Sequence, residues 1–190
     1  MTDTGESDET LIARYACGDA AAFPVLYRRH EMRIWRYLER NVGNRATAEE
    51  LMQEVWFAVA RDCVRYQPTA RFTTWLFAIA RNRMLDCIRM SRPQVSLERL
   101  GYEADALGQQ LTTEPSVGPL AAVMVRDQAY ALTQAIGQLP PEQRDAFLLQ
   151  IEGDLSIEEV ATITRSTLET TKSRLRYART KLRALLSEYA

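Results

Sequence analysis

Histidine is almost absent from this sequence: His30 is the only one. Cysteine is scarce as well, and Cys17, Cys63 and Cys87 lie far apart with no C-x-x-C pair. A structural zinc site draws its ligands from cysteine and histidine, and a disulfide framework needs cysteines in pairs. Neither is expected, and no metal or cofactor is implied; three buried thiols in a reducing cytosol are the default. There is no glycine-rich phosphate loop and no nucleophile with a histidine near it, so no catalytic constellation is present and the chain is not expected to be an enzyme. Strand-like alternation of useful length is missing. Long apolar runs are missing too: the stretch Trp75 to Ala80 is far too short to span a bilayer. The first residues are acidic and polar, unlike a signal peptide. A cytoplasmic protein without membrane insertion is the expectation.

What remains is a 190-residue chain, 46% hydrophobic and 26% charged, which suits one globular domain or two small ones. A net charge of −1 rules out a uniformly basic nucleic-acid coat but not a local patch. The charge is unevenly placed: Asp3, Glu6, Asp8 and Glu9 open the chain, and its last helix is basic.

The patterning is helical throughout. Asp8 is positioned to cap a first helix that Gly18 ends. Asp19 is positioned to cap the next, whose apolar positions are Phe23, Leu26, Tyr27, Ile34, Leu38 and Val42. Pro24 removes a backbone donor there and either kinks that helix or delays its start. After Gly43 and Asn44, Thr47 with Glu50 reads as a capping box. It opens a helix with Leu51, Met52, Val55, Trp56 and Val59 on its buried side. Asp62 to Arg71 reads as a loop. A strong helix follows from Phe72 to about Met90, burying Trp75, Leu76, Ile79, Ala80, Met84 and Ile88. Residues 93–119 hold Gly101, Gly108, Pro115, Gly118 and Pro119 with few large apolar side chains. This is a flexible linker dividing the chain. Helical patterning resumes near Leu120. Pro141 suits the first turn of the next helix and Gly153 its end.

Leu155 to Arg183 then reads as two helices joined by a tight turn. Ser156 with Glu159 forms one capping box, and Ser166 with Glu169 a second. Val160, Ala161 and Ile163 face inward from the first helix. Leu168, Leu175, Ala178, Leu182 and Leu185 form a stripe on the second. Its other face carries Lys172, Arg174, Arg176, Arg179, Lys181 and Arg183, and Glu169 is the only acid between Thr167 and Arg183. Such a helix-turn-helix suits the major groove, with its first turns at base edges and its cations on phosphates. A solvated surface or a partner-binding helix is the other account of a basic face. The turn has no glycine, so Arg165 bears any positive φ it needs, at about 1–2 kcal/mol.

FPVLYRRH (23–30), AEELMQEVW (48–56) and FTTWLFAIARNRMLD (72–86), in this order and spacing, resemble region 2 of the extracytoplasmic-function sigma factors of bacterial RNA polymerase. LPPEQRDAFLLQIEGDLSIEEVA and TKSRLRYARTKLR resemble region 4 of the same family. The resemblance implies an all-α fold of two small helical domains on a flexible linker. Residues 1–92 form a region 2 domain for polymerase docking and −10 recognition, and 120–190 a region 4 domain for −35 recognition. By position, the implied −35 contacts are Thr170, Lys172, Ser173, Arg174, Arg176, Tyr177 and Arg179. Lys172, Ser173 and Arg176 are the nearest to bases. The implied −10 contacts are Tyr66, Asn82, Arg81, Arg83, Arg89 and Arg92. Tyr66 lines a base pocket or anchors its loop; Trp75 reads as core. Glu49, Glu50, Gln53 and Glu54 are implied to dock on a coiled coil of the polymerase's largest subunit. The implied partners are core RNA polymerase, promoter DNA and an anti-sigma protein wedged between the domains, with the free protein a monomer. Arg165, Glu169 and Thr171 depart from the family's common Gly, Gly and Val and bear on −35 preference. A stand-alone helix-turn-helix regulator shares the C-terminal pattern but leaves the first domain without a role. A helical interaction protein is the other reading.

Overall fold

The computed structural model describes residues 5–91 and 119–187, which form eight α-helices and one 3-10 turn with no strand among them. The first module contains α1 (Asp8–Ala16), α2 (Ala22–Val42), α3 (Arg45–Asp62), the turn Cys63–Arg65 and α4 (Phe72–Ser91). The second contains α5 (Pro119–Gly137), α6 (Pro141–Gly153), α7 (Ile157–Thr164) and α8 (Leu168–Leu185). The expected linker and Arg92 lie outside the described residues.

Several helix starts differ from the sequence reading. Ser7, not Asp8, caps α1 by accepting from the Thr10 amide. Asp19 does not cap α2; it accepts from the Ala21 amide in the preceding turn, and α2 starts at Ala22 without a side-chain cap. Pro24 thereby falls in the first turn, where a missing donor costs no helical hydrogen bond. Asn44 caps α3 through the Thr47 amide, so Thr47 with Glu50 is no capping box. Thr167 caps α8 through the Thr170 amide, so Ser166 with Glu169 is none either. Only the Ser156–Glu159 box has both of its hydrogen bonds.

Gly43 ends α2 at φ 68°, a backbone that glycine adopts without strain. Gly153 does not terminate α6 in that way; Asp154, at φ 50°, takes the left-handed position. Gly153 is needed for close approach instead. A Cβ there would lie 2.8 Å from Leu155 Cγ and 3.5 Å from the Phe77 ring.

Arg165 closes α7 at φ 53°, the strained turn that the missing glycine implied. Its side chain is exposed, so replacement removes strain without opening a cavity. Arg165→Gly is expected to stabilise the folded protein by about 1 kcal/mol, the left-handed penalty less the entropy that glycine adds to the unfolded chain. A thermal melt without DNA reads this as a midpoint a few degrees higher.

α1 is held to the first module by buried Leu11 and Ile12 and by polar contacts around its start. Asp8 bonds Arg29 Nη1 at 2.8 Å and His30 Nε2 at 2.7 Å, and Glu9 accepts from the Phe72 amide at the start of α4. Burial pushes the Asp8 carboxyl up, but the hydrogen bonds from His30 and Arg29 outweigh it and hold the group below its ordinary 3.8. A depressed folded value adds stability above the unfolded value, lost as pH falls through the folded one. Acidification below about pH 4 should therefore loosen α1. Asp8→Asn should lower stability at neutral pH and flatten its acid limb, as measured by denaturant midpoints across pH.

The core is continuous across both modules. Leu26, Ile34, Leu38, Val55, Leu76 and Phe77 of the first join Ile136, Leu148, Leu149, Val160 and Leu175 of the second in one buried cluster. α2 packs on α6, and α4 on α6 and α7.

Candidate nucleic-acid interface and the contact between modules

α8 is fixed by its inner face. Leu175, Ala178 and Leu182 are buried, whereas Leu168, expected in the same stripe, is 39% exposed. Thr171 is fully buried and bonds Ser166 Oγ at 2.8 Å and the Thr167 carbonyl at 3.1 Å. Ser166 also bonds Thr164 Oγ1 at 2.9 Å. A chain of hydroxyls thus braces the Arg165 turn. Thr171 stands where the family often has valine, and its hydroxyl is spent inside the fold.

The outer face of α8 presents Thr170, Lys172, Arg176, Tyr177 and Arg179 to solvent, with Ser173 half-buried. Arg174 is tied to Glu142 of α6, and Arg179 to Gln150 at 2.7 Å. Lys172 and Arg176 have no carboxylate partner among the described residues. The Arg176 guanidinium lies 5.1 Å from the centre of the Tyr177 ring. These two cations sit one turn apart in the first half of the helix, a geometry for probing a major groove.

In the first module the expected −10 residues separate. Tyr66 is engaged as an anchor: its hydroxyl donates to the Ala70 carbonyl at 2.8 Å, and its ring meets Phe72 and Trp75 at 6.1 and 5.2 Å. Asn82 is exposed, and with Arg89 it lines a shallow depression that Arg165 of the helix-turn-helix closes from the other side. Arg89 is paired with Asp86. Arg83 lines a different depression, beside Glu50, Glu54 and Asp86. Arg81 departs from the expectation of a free DNA contact. Its side chain is 15% exposed, and its Nε bonds Asp145 of α6 at 2.7 Å. Its Nη1 donates to the Ile163 carbonyl of α7 at 3.2 Å.

Glu49, Glu50, Gln53 and Glu54 are all exposed along α3. One turn on, Phe57 is 74% exposed. It rims an aromatic groove with Tyr15, Phe23, Tyr27, Met52 and Trp56. Phe57 was left off the buried face of this helix by its period, which is the one sequence signal for its outward position.

The residues that sequence reasoning missed are those joining the modules. Tyr37 is fully buried and donates to Asp145 at 2.8 Å. Glu152, 4% exposed, receives Arg36 at 2.9 Å and Arg40 at 2.6 Å on its carboxylate. Arg33 donates to its backbone carbonyl at 2.6 Å. Arg71 reaches the Asp154 carbonyl at 3.1 Å and the Glu159 carboxylate at 3.6 Å, and Thr74 donates to Glu159. Burial alone would raise the Glu159 carboxyl, but the bond from Thr74 and those from Ser156 keep it below its ordinary value. Beside this polar seam, Phe77 and Leu155 join the common apolar core next to Gly153. These side chains fill the space between the two modules.

Comparison with known proteins agrees with this architecture. The Sigma-70 region 2 family model matches residues 26–93, and the Sigma-70 region 4 model residues 129–182. The chain is 35% identical to the ECF RNA polymerase sigma factor SigE of Mycolicibacterium smegmatis, over 92% of this chain and 66% of that protein. It is 32% identical to the RNA polymerase sigma factor CarQ of Myxococcus xanthus, over 92% of this chain and 95% of CarQ. It is 33% identical to the ECF RNA polymerase sigma factor RpoE of Cereibacter sphaeroides, over 98% of this chain and all of the relative. The fold is similar to that of CnrH in complex with the cytosolic domain of CnrY, with a TM-score of 0.66 at 24% identity over 97% of this chain and 100% of CnrH. It is also similar to RpoE in complex with the anti-sigma factor NepR from Bartonella quintana, with a TM-score of 0.63 at 21% identity over 81% of this chain and 89% of RpoE. With two regions matched in order, and with CarQ and the Cereibacter RpoE aligned over nearly their whole length, the chain belongs to the extracytoplasmic-function sigma factors of RNA polymerase.

Proposed function

We propose that this sigma factor directs core polymerase to promoters through two separate DNA contacts and works by binding alone, in the cytoplasm. Residues 1–92 take the −10 element and the polymerase clamp, 120–190 take the −35 element, and 93–119 tether the two. The observation that carries this is the presence of regions 2 and 4 in one chain, with a cationic helix-turn-helix face on the second. Lys172 and Arg176 are the free cations that meet the −35 duplex, with Thr170, Ser173 and Tyr177 beside them. Arg174 and Arg179 brace α8 or reach phosphates once released from Glu142 and Gln150. In the first module Asn82 and Arg89 flank the unpaired −10 strand, and Glu49, Glu50, Gln53 and Glu54 dock on the clamp coiled coil.

The arrangement of the modules sets a condition on this activity. Elements centred near −35 and −10 lie roughly 25 base pairs apart, on the order of 80 Å of duplex at 3.4 Å per pair. Modules in direct contact do not span that length, so α6 must leave α2 before both elements are read. The same contact bears on inhibition. RpoE was solved with the anti-sigma factor NepR, and we propose an anti-sigma partner here as well. Such a partner reaches the exposed faces of α3 and α8 without disturbing the closed pair, whereas insertion between the modules first has to break the polar seam.

The test is to mix the protein with core polymerase and a promoter library. Directed initiation is expected from the mixture, and the free protein should elute as a monomer. If region 4 neutralises about four phosphates, log affinity for −35 duplex falls against log salt with a slope near −3.6. A protein that shifts duplex DNA alone as a dimer and starts no transcripts would instead be a regulator of the operator-binding kind.

A further inference from the structure

We infer that the arginine face of α2, Arg33, Arg36 and Arg40, together with Arg81 of α4, is a binding site for the phosphate backbone of promoter DNA, which Glu152 and Asp145 occupy in the closed form in place of phosphates. The inference rests on the sigma-factor reading but concerns residues that reading does not use, apart from Arg81. Positions 33, 36 and 40 fall on one side of α2, and the turn between them carries Tyr37, whose hydroxyl meets Asp145. At 1.5 Å per residue the three arginines span about 10 Å of helix. That is close to three base-pair steps of about 3.4 Å.

Each of these arginines donates to an oxygen of the second module. Arg36 and Arg40 share the two oxygens of one carboxylate, and Arg81 takes one oxygen of another. Guanidinium groups recognise carboxylate and phosphate oxygens by the same planar geometry, and they keep their charge at all working pH values. Opening the molecule removes every one of these acceptors at once. Four cations are then left exposed, with Glu39, next to Arg40, as a near acid of the same module. Arg81 also lines the depression that holds Asn82 and Arg89. The face is therefore continuous with the surface proposed for the −10 strand. That continuity, and the regular spacing along one helix, favour a nucleic-acid backbone over an acidic protein. The second module thus covers a DNA site with carboxylates, and only the opened protein exposes it.

The experiment compares full-length variants as holoenzymes with core polymerase, on a promoter fragment selected by the wild-type holoenzyme. Glu152→Gln weakens the closed form but leaves the arginines in place. Arg36→Gln with Arg40→Gln weakens the closed form and also removes two cations. The expected result is a promoter affinity at least about tenfold lower for the double arginine variant, with its salt slope shallower by about 1.5. Glu152→Gln should keep the wild-type slope. Arg36→Lys with Arg40→Lys restores most of the slope if the variants are folded and the contact is to phosphate. A double glutamine variant with the wild-type slope overturns the site. So does a loss of affinity for core polymerase measured without DNA, which would make the face a protein contact. A wild-type holoenzyme that starts no transcripts would sink the sigma-factor reading itself, whereas initiation with an unchanged slope sinks this site alone.

Discussion

Glu152→Ala opens the molecule: the radius of gyration of the free protein rises, and the separation of probes placed on α3 and α8 grows. The reason lies in how unequally the two sides of the seam are solvated. The Glu152 side chain is 5% exposed and that of Arg40 15%, while that of Arg36 is 38% exposed. Removing the carboxylate leaves Arg40 buried with no countercharge from α6. Breaking a buried pair in this way costs about 3–5 kcal/mol. Arg36 can turn out to water, which places this case at the lower end. About 3 kcal/mol corresponds to a shift on the order of a hundredfold in the ratio of closed to open forms. The bond from Arg33 to the backbone carbonyl at 152 survives the substitution and limits the effect, as do the apolar contacts of Phe77 and Leu155. Scattering curves that superimpose for the wild type and the variant would mean that the apolar contacts alone hold the modules together. Engagement of both promoter elements by the holoenzyme should be faster for the variant, because less of the protein has to open first.

This seam is also where reading the sequence ran out. The partners of Arg33, Arg36 and Arg40 lie more than one hundred positions away along the chain. Local periodicity shows only that these arginines share a face, which is the pattern of any solvated helix. Arg81 was legible as a cation in a DNA-reading motif but not as the partner of Asp145, for the same reason. Within each module the outcome was different. The helix-turn-helix followed from the Ser156–Glu159 box, the inward Val160 and Leu175, and a turn forced on Arg165. The errors came from near-copies of a real signal. Thr47 with Glu50 and Ser166 with Glu169 have the spacing of a capping box, yet Asn44 and Thr167, close beside them, reach the free amides with a better-placed oxygen. Tyr66, left open between base pocket and anchor, is held by Ala70, Phe72 and Trp75, contacts within its own loop and the helix after it.

Phe57→Ser is expected to weaken binding to core polymerase about thirtyfold or more while leaving the fold intact. An aromatic ring that is 74% exposed contributes little to its own module, so its removal should leave the thermal midpoint within about a degree of the wild type. It stands one turn beyond Gln53 and Glu54 on the proposed docking face, above the groove formed by Tyr15, Phe23, Tyr27 and Trp56. An aromatic anchor at the centre of an interface, ringed by polar groups that exclude water, is the arrangement in which truncation costs 2 kcal/mol or more. At 1.4 kcal/mol per factor of ten, that is a loss of about thirtyfold. The acids act differently. Glu54→Lys should slow association and remove much of its salt dependence, because rim charges steer encounter more than they hold the complex. Equilibrium titration of labelled protein with core polymerase, and stopped-flow association at two salt concentrations, separate the two effects. Wild-type affinity in Phe57→Ser would remove this groove from the docking surface. A large drop in its thermal midpoint would assign Phe57 to the fold instead.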